Sequence, residues 1–180
     1  MKPDEAQAVL NQLLALHPEL AGEAEEIAQV LLSDVSFEAV ADEVESALRF
    51  PDLDDLNARA GPSRWGYTPP DEAAWELLEE ALQPFIDEMT RYVELAMEKQ
   101  ALEICQGILL GLYRLRDAED HEVLQWAADF PFEVASRVVK TWSEAKRPKD
   151  SAEGASHRHP TLPRDFVSEH LPEWQDLITK

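Results

Sequence analysis

The chain has 180 residues, of which 37 are acidic and 16 basic, and its formal net charge is -21. Nucleic-acid phosphates and anionic lipid headgroups are both bound through Lys and Arg, so this balance disfavours direct nucleic-acid binding and attachment to a membrane surface. The single cysteine, Cys105, allows no internal disulfide and no thiolate-rich zinc site, which points to a reducing compartment.

The start of the chain, Met1-Lys2-Pro3-Asp4-Glu5, lacks the basic and apolar regions of a signal peptide, and no apolar run approaches the ~20 residues that span a bilayer. A cytoplasmic location is expected. From Asp4 to His17, Ala8, Val9, Leu13 and Leu16 recur at helical spacing, and Pro18 stops that helix and opens the next. The second helix carries Leu20, Ala24, Ile27, Ala28 and Leu31 on one face, with Glu19, Glu23, Glu25 and Glu26 gathered where the helix dipole favours negative charge. Ser36 caps a third helix that buries Phe37, Val40, Val44, Ala47 and Leu48 and ends where Phe50 meets Pro51.

Residues 51–70 break the pattern, because Asp52, Asp54, Asp55, Asn57, Gly61, Pro62, Gly66, Pro69 and Pro70 supply turn chemistry throughout. A short helical turn fits near 54–60, and the rest reads as a long loop, the first place to look for a site. From Asp71, Trp75, Leu78, Leu82, Phe85, Met89, Tyr92 and Ala96 form one face that keeps its phase across Pro84, so the spacing predicts a single kinked helix. Lys99 to Arg116 is apolar around nearly its whole circumference and should be the most buried helix, with Gly107 and Gly111 admitting a neighbouring backbone.

A shorter helix over 120–128, with Asp120 as its cap, and another over 132–145 carrying Phe132, Ala135, Val138, Val139 and Trp142 follow. Residues 146–163 lose periodicity and read as a linker, after which a helix near 164–171 can dock through Phe166, Val167, Leu171 and Trp174. No period-two alternation is found, so no sheet is expected. The fold class is all-α, with stacked antiparallel helices in an α-solenoid-like arrangement or an irregular helical bundle. The organisation expected is one helical domain over 1–146 with a long loop at 51–70, then a linker and short helix over 147–180.

Little of this chain has the spacing that chemistry demands. His157, His159 and His170 match no metal site, and neither HExxH nor ExxH occurs. Asp120-His121-Glu122 places its groups about 100° apart on a helix, which is poor geometry for a dyad. Asp52, Asp54 and Asp55 lack the glycine and terminal glutamate of a calcium loop, so capping explains them better. Cys105 sits on the most apolar helix and reads as a buried thiol. Catalytic, cofactor-binding and metal-binding residues are accordingly none. Lys140, Lys146, Arg147, Lys149, Arg158 and Arg164 make the last third locally basic, a pattern that can serve nucleic-acid binding but fits better with docking onto the chain's own acidic face or plain solvation. The remaining motif is Arg64-Trp65-Gly66-Tyr67, where arginine and large aromatics in a loop are the residue types that anchor interfaces.

With Arg64-Trp65-Gly66-Tyr67, the stretch Glu72-Ala73-Ala74-Trp75-Glu76-Leu77-Leu78 and Gly107-Ile108-Leu109-Leu110-Gly111-Leu112-Tyr113, residues 50–116 resemble helical regions found beside SWIM-type zinc fingers in bacterial proteins of unassigned function. The finger's own cysteine and histidine ligands are absent. What the resemblance implies is a helical accessory module, with no metal or catalytic residue carried over.

The function expected is a non-enzymatic protein-protein interaction module with Arg64, Trp65 and Tyr67 as candidate contacts to an unknown protein partner. The alternative is an acidic inhibitor or nucleic-acid mimic that occupies a basic site on its partner. An enzyme assembled from distant residues would instead need a deep pocket holding perturbed titratable groups.

Overall fold

Helical periodicity dominates the chain, and the computed structural model, which describes residues 2–64, 66–118, 120–145 and 161–178, is all-α apart from one small hairpin. The chain divides into two compact units, Met1–Asp34 and Val35–Lys180. No boundary at Asp34 is legible in the spacing, because the apolar period is the same on both sides of it. In the first unit, α1 (Pro3–Leu16) passes through a 3-10 turn at Pro18–Leu20 into α2 (Ala21–Leu32). Neither the 3-10 turn nor α2 has a buried residue, and Val9, Leu10, Leu13, Leu16, Ile27, Val30 and Leu31 stand exposed.

The second unit begins with α3 (Phe37–Arg49), whose first turn is capped by the Ser36 hydroxyl accepting from the Ala39 amide at 3.4 Å. Then come α4 (Leu53–Arg59), strands β1 (Gly61–Ser63) and β2 (Gly66–Thr68), α5 (Pro70–Glu94) and α6 (Glu98–Leu115). Helices α7 (Glu122–Trp126) and α8 (Phe130–Ala145) follow, and α9 (Arg164–His170) and α10 (Gln175–Ile178) complete the described chain. Helix α6 is the axis of this unit and packs against α3, α5 and α8. Ile108, Leu109 and Leu112 are fully enclosed, together with Ala41, Val44 and Leu48 of α3, Leu78 and Leu82 of α5, and Phe130, Val134 and Val138 of α8.

Two glycines set the closest approach. A Cβ placed on Gly107 would lie 2.5 Å from the Cβ of Val40 and 2.8 Å from the Phe37 carbonyl oxygen, and one on Gly111 would lie 2.7 Å from a Val44 methyl. The propensity cost of glycine inside a helix, about 1 kcal/mol each, is therefore offset by contact between backbones that no larger residue permits. Helix α5 runs through Pro84 without a break, as its unslipped apolar phase predicts, and Pro84 itself is exposed. It ends at Glu94, and two residues on Ala96 holds a left-handed φ of 57°, with the Ala96 and Met97 amides donating back to the Val93 and Tyr92 carbonyls.

Three sequence expectations need correction. A sheet does exist: β1 and β2 pair antiparallel, Gly61 opposite Thr68 and Ser63 opposite Gly66, inside what reads as loop. Strands of three residues are too short to show alternation, and Gly61 (φ 104°) and Gly66 (φ 139°) serve its unusual backbone rather than any side-chain pattern. His121, not Asp120, caps α7, its Nδ1 accepting from the Leu124 amide at 3.2 Å, while Asp120 faces Arg49 at 3.3 Å. Helix α8 turns Phe130 and Val134 inward and leaves Phe132 half-exposed.

The segment from Thr161 docks as its apolar residues foretell. Leu162, Phe166, Val167, Leu171, Trp174 and Ile178 are all buried. Phe166 meets Phe37 edge to face at 5.4 Å, and Trp174 meets Tyr113 at 5.1 Å. Arg116, lying 3.9 Å over the Tyr113 ring, donates to Glu173 at 2.8 Å and holds the end of α6 to this segment. The expected linker lies mostly over 146–160, outside the described residues. Among the described residues no helix is long and apolar enough to cross a membrane.

Candidate functional site

The 51–70 region is more ordered by its own chemistry than a loop reading allows. Asp52 caps α4 by accepting from the Asp54 and Asp55 amides at 2.8 and 3.0 Å, and the Asp55 carboxylate returns the contact to the Asp52 amide. Arg59 at the end of α4 then reaches α5 with two parallel hydrogen bonds to Glu80, at 2.9 and 2.8 Å. That pair holds the Glu80 carboxyl below its ordinary range. Capping accounts for the Asp52 and Asp55 carboxylates.

Of the three candidate contact residues, Arg64 is exposed in the turn between β1 and β2, and Tyr67 on β2 is 67% exposed, so its ring is not packed into the helices. Trp65 lies outside the described residues. The hairpin feeds through Pro69 and Pro70 into the first turn of α5, where Asp71 and Glu72 stand. Those two carboxylates begin a cleft that sequence periodicity does not reveal.

The cleft, about 490 Å³, is lined by Asp71, Glu72, Trp75 and Glu76 of α5 and by Trp126, Ala127, Ala128, Asp129 and Glu133 of the α7–α8 turn. Trp75 is fixed by an edge-to-face contact with the buried Phe130 ring at 5.0 Å. The Glu133 amide donates to the Asp129 carbonyl at 3.0 Å, which sets Glu133 one turn beyond Asp129 on the same side of α8. Trp126 closes the other wall and keeps 51% of its surface exposed. No Lys or Arg is among the lining residues, and Glu76 is tied to Arg59 at 3.7 Å.

Asp71, Glu72 and Glu133 also occupy first turns of helices, where the dipole favours them regardless of any ligand. A half-exposed indole among them has no such structural reason. Carboxylates beside indole faces form the combination that attracts ammonium and guanidinium groups, through charge-assisted hydrogen bonds and the ring quadrupole.

Elsewhere the candidate chemistry falls away. Cys105 is fully enclosed, and burial pushes its thiol well above the ordinary range. His17 is exposed beside Glu19, His121 is spent as a cap, and His170 lies against Phe37 and Phe166. His157 and His159 lie outside the described residues. Among the described residues no three His, Cys, Asp or Glu side chains converge on a metal position.

Periodicity misses the cleft for a definite reason. Trp75 and Trp126 share the spacing of core residues, and the cleft exists only where the 127–129 turn and the start of α8 come beside α5. The one available signal was the density of acids around two tryptophans. No protein-family model, curated protein or solved structure matches this chain.

Proposed function

We propose that the chain is a non-enzymatic protein-interaction module whose acidic cleft receives a Lys- or Arg-bearing segment of a partner protein. The observation that carries this reading is Trp126, half-exposed in a cleft whose charged lining residues are all carboxylates. The net charge of -21 supports it by drawing basic segments in from a distance. Resemblance of residues 50–116 to helical modules beside zinc fingers fits an accessory role of this kind. Arg64 and Tyr67, exposed on the hairpin that leads into α5, are candidate rim contacts.

An oligoarginine peptide titrated into the full chain, with tryptophan fluorescence and calorimetry as readouts, tests the reading. Trp126→Ala should weaken binding at least ~10-fold, as loss of an interface anchor does, without changing the melting temperature. Asp129→Asn with Glu133→Gln should weaken it further and flatten its salt dependence. Equal binding by wild type and Trp126→Ala would sink the cleft. If neutralising Glu23, Glu25 and Glu26 of the first unit costs as much as neutralising the cleft, the attraction is diffuse and the acidic-mimic reading takes its place.

A further inference from the structure

The first unit is incomplete by physical criteria. Thirty-four residues, Met1–Asp34, lie below the roughly 40 at which a chain holds a core without a staple or a partner. Its 3-10 turn and α2 bury nothing, and seven large aliphatic side chains across α1 and α2 are between 44% and 76% exposed. At roughly 100 Å² of apolar surface each, these offer on the order of 700 Å², near the ~800 Å² that each partner contributes to a stable interface.

Charge identifies the occupant. From Ala6 to Pro18 there is no Asp, Glu, Lys or Arg, the longest such run in a chain that is otherwise densely acidic. The next longest, Ile104 to Tyr113, lies wholly within α6, the most enclosed helix of the second unit. An uncharged run thus marks a packed seam where it is buried, and the exposed run in α1 has the same composition. Beyond Asp4 and Glu5 in its first turn, α1 offers a basic partner no carboxylate to pair with. A second copy meets no like charge across that stretch, while Glu23, Glu25 and Glu26 on α2 supply repulsion that salt screens.

We infer that α1 and α2 associate with the same helices of a second copy of this chain, through Val9, Leu13 and Leu16 together with Ile27, Val30 and Leu31. The contact is a twofold one in which the same surface serves both copies. It is apolar at its centre and opposed by the net charge of both chains, so added salt strengthens it, opposite to the behaviour of a basic peptide in the acidic cleft.

Light scattering and sedimentation of the full chain test this, over protein concentrations from ~1 to ~200 μM and at ~20 and ~300 mM salt, where screening differs most. A two-copy species that forms with concentration and tightens at least ~3-fold at the higher salt is the expected result. Leu13→Glu and Val30→Glu, both at exposed positions, should each weaken it at least ~10-fold by placing like charges in the seam, with melting of the second unit unchanged. A single copy under every condition, or a two-copy species indifferent to both substitutions, would overturn the proposal. Neither result bears on the cleft, whose peptide titration is read separately.

Discussion

Helix α2 carries aliphatics on one face and α6 around most of its circumference, yet α6 is buried along its middle while α2 buries nothing at all. The difference lies in what the neighbouring helix brings. Helix α3 approaches α6 at Gly107 and Gly111 so closely that no Cβ fits, whereas no glycine of the first unit meets a neighbour: a Cβ on Gly22 would touch nothing within 4 Å. An apolar stripe states that a face wants covering. Which element covers it is decided by small residues at the crossing.

The largest expected effect contrasts the two regions directly. Leu48→Ala, in the α3–α6 seam, should cost about 2–5 kcal/mol in denaturant unfolding, while Leu13→Ala in α1 should stay within about 0.5 kcal/mol for the second unit. Comparable losses would mean that the exposed helices contribute to the same cooperative core.

Next in size is the glycine seam itself. Gly107→Ala should cost about 1–3 kcal/mol, at the upper end because one of the atoms it meets is a backbone oxygen. Cys105, two residues away on α6 and fully buried, reports the same event: it should resist a thiol reagent in the native protein and react faster in the variant. Rapid labelling of the wild type would show that the seam opens readily.

The smallest effect concerns a helix end. Ala96 holds a left-handed conformation that glycine adopts freely, so Ala96→Gly should stabilise the second unit by about 0.5–1 kcal/mol. A loss of stability would indicate that the Cβ makes a packing contact worth more than the strain it carries.

Much of the fold is legible in the chain because helices announce themselves through period and phase. The continuity of α5 across Pro84, the enclosure of α6, the Ser36 cap and the docking of Phe166 and Trp174 all follow from spacing or residue type. What is not legible depends on geometry beyond one element. Hairpin 61–68 is held by glycine backbone angles, and the choice of His121 over Asp120 as a cap turns on which side chain faces the Leu124 amide. The inward turn of Phe130 instead of Phe132 is set by where α8 starts. The candidate site was legible only in its ingredients: Tyr67 and Arg64 stand on the surface as their residue types suggest, but the pairing of Trp75 with Trp126 across a cleft requires the turn between α7 and α8.

Helices nucleate from neighbours in sequence, but the contacts of Phe37 with Phe166 and of Tyr113 with Trp174 join residues made far apart in time. At a synthesis rate of about 5–20 residues per second, Tyr113 waits roughly 3–12 s for its indole partner, and Phe37 waits longer. Throughout that interval both rings lack the partner that later covers them, so the nascent chain presents sticky aromatic surface on a body whose helices have already formed. The charge carried by that body is then its chief protection, keeping neighbouring nascent chains apart until the last aromatic arrives.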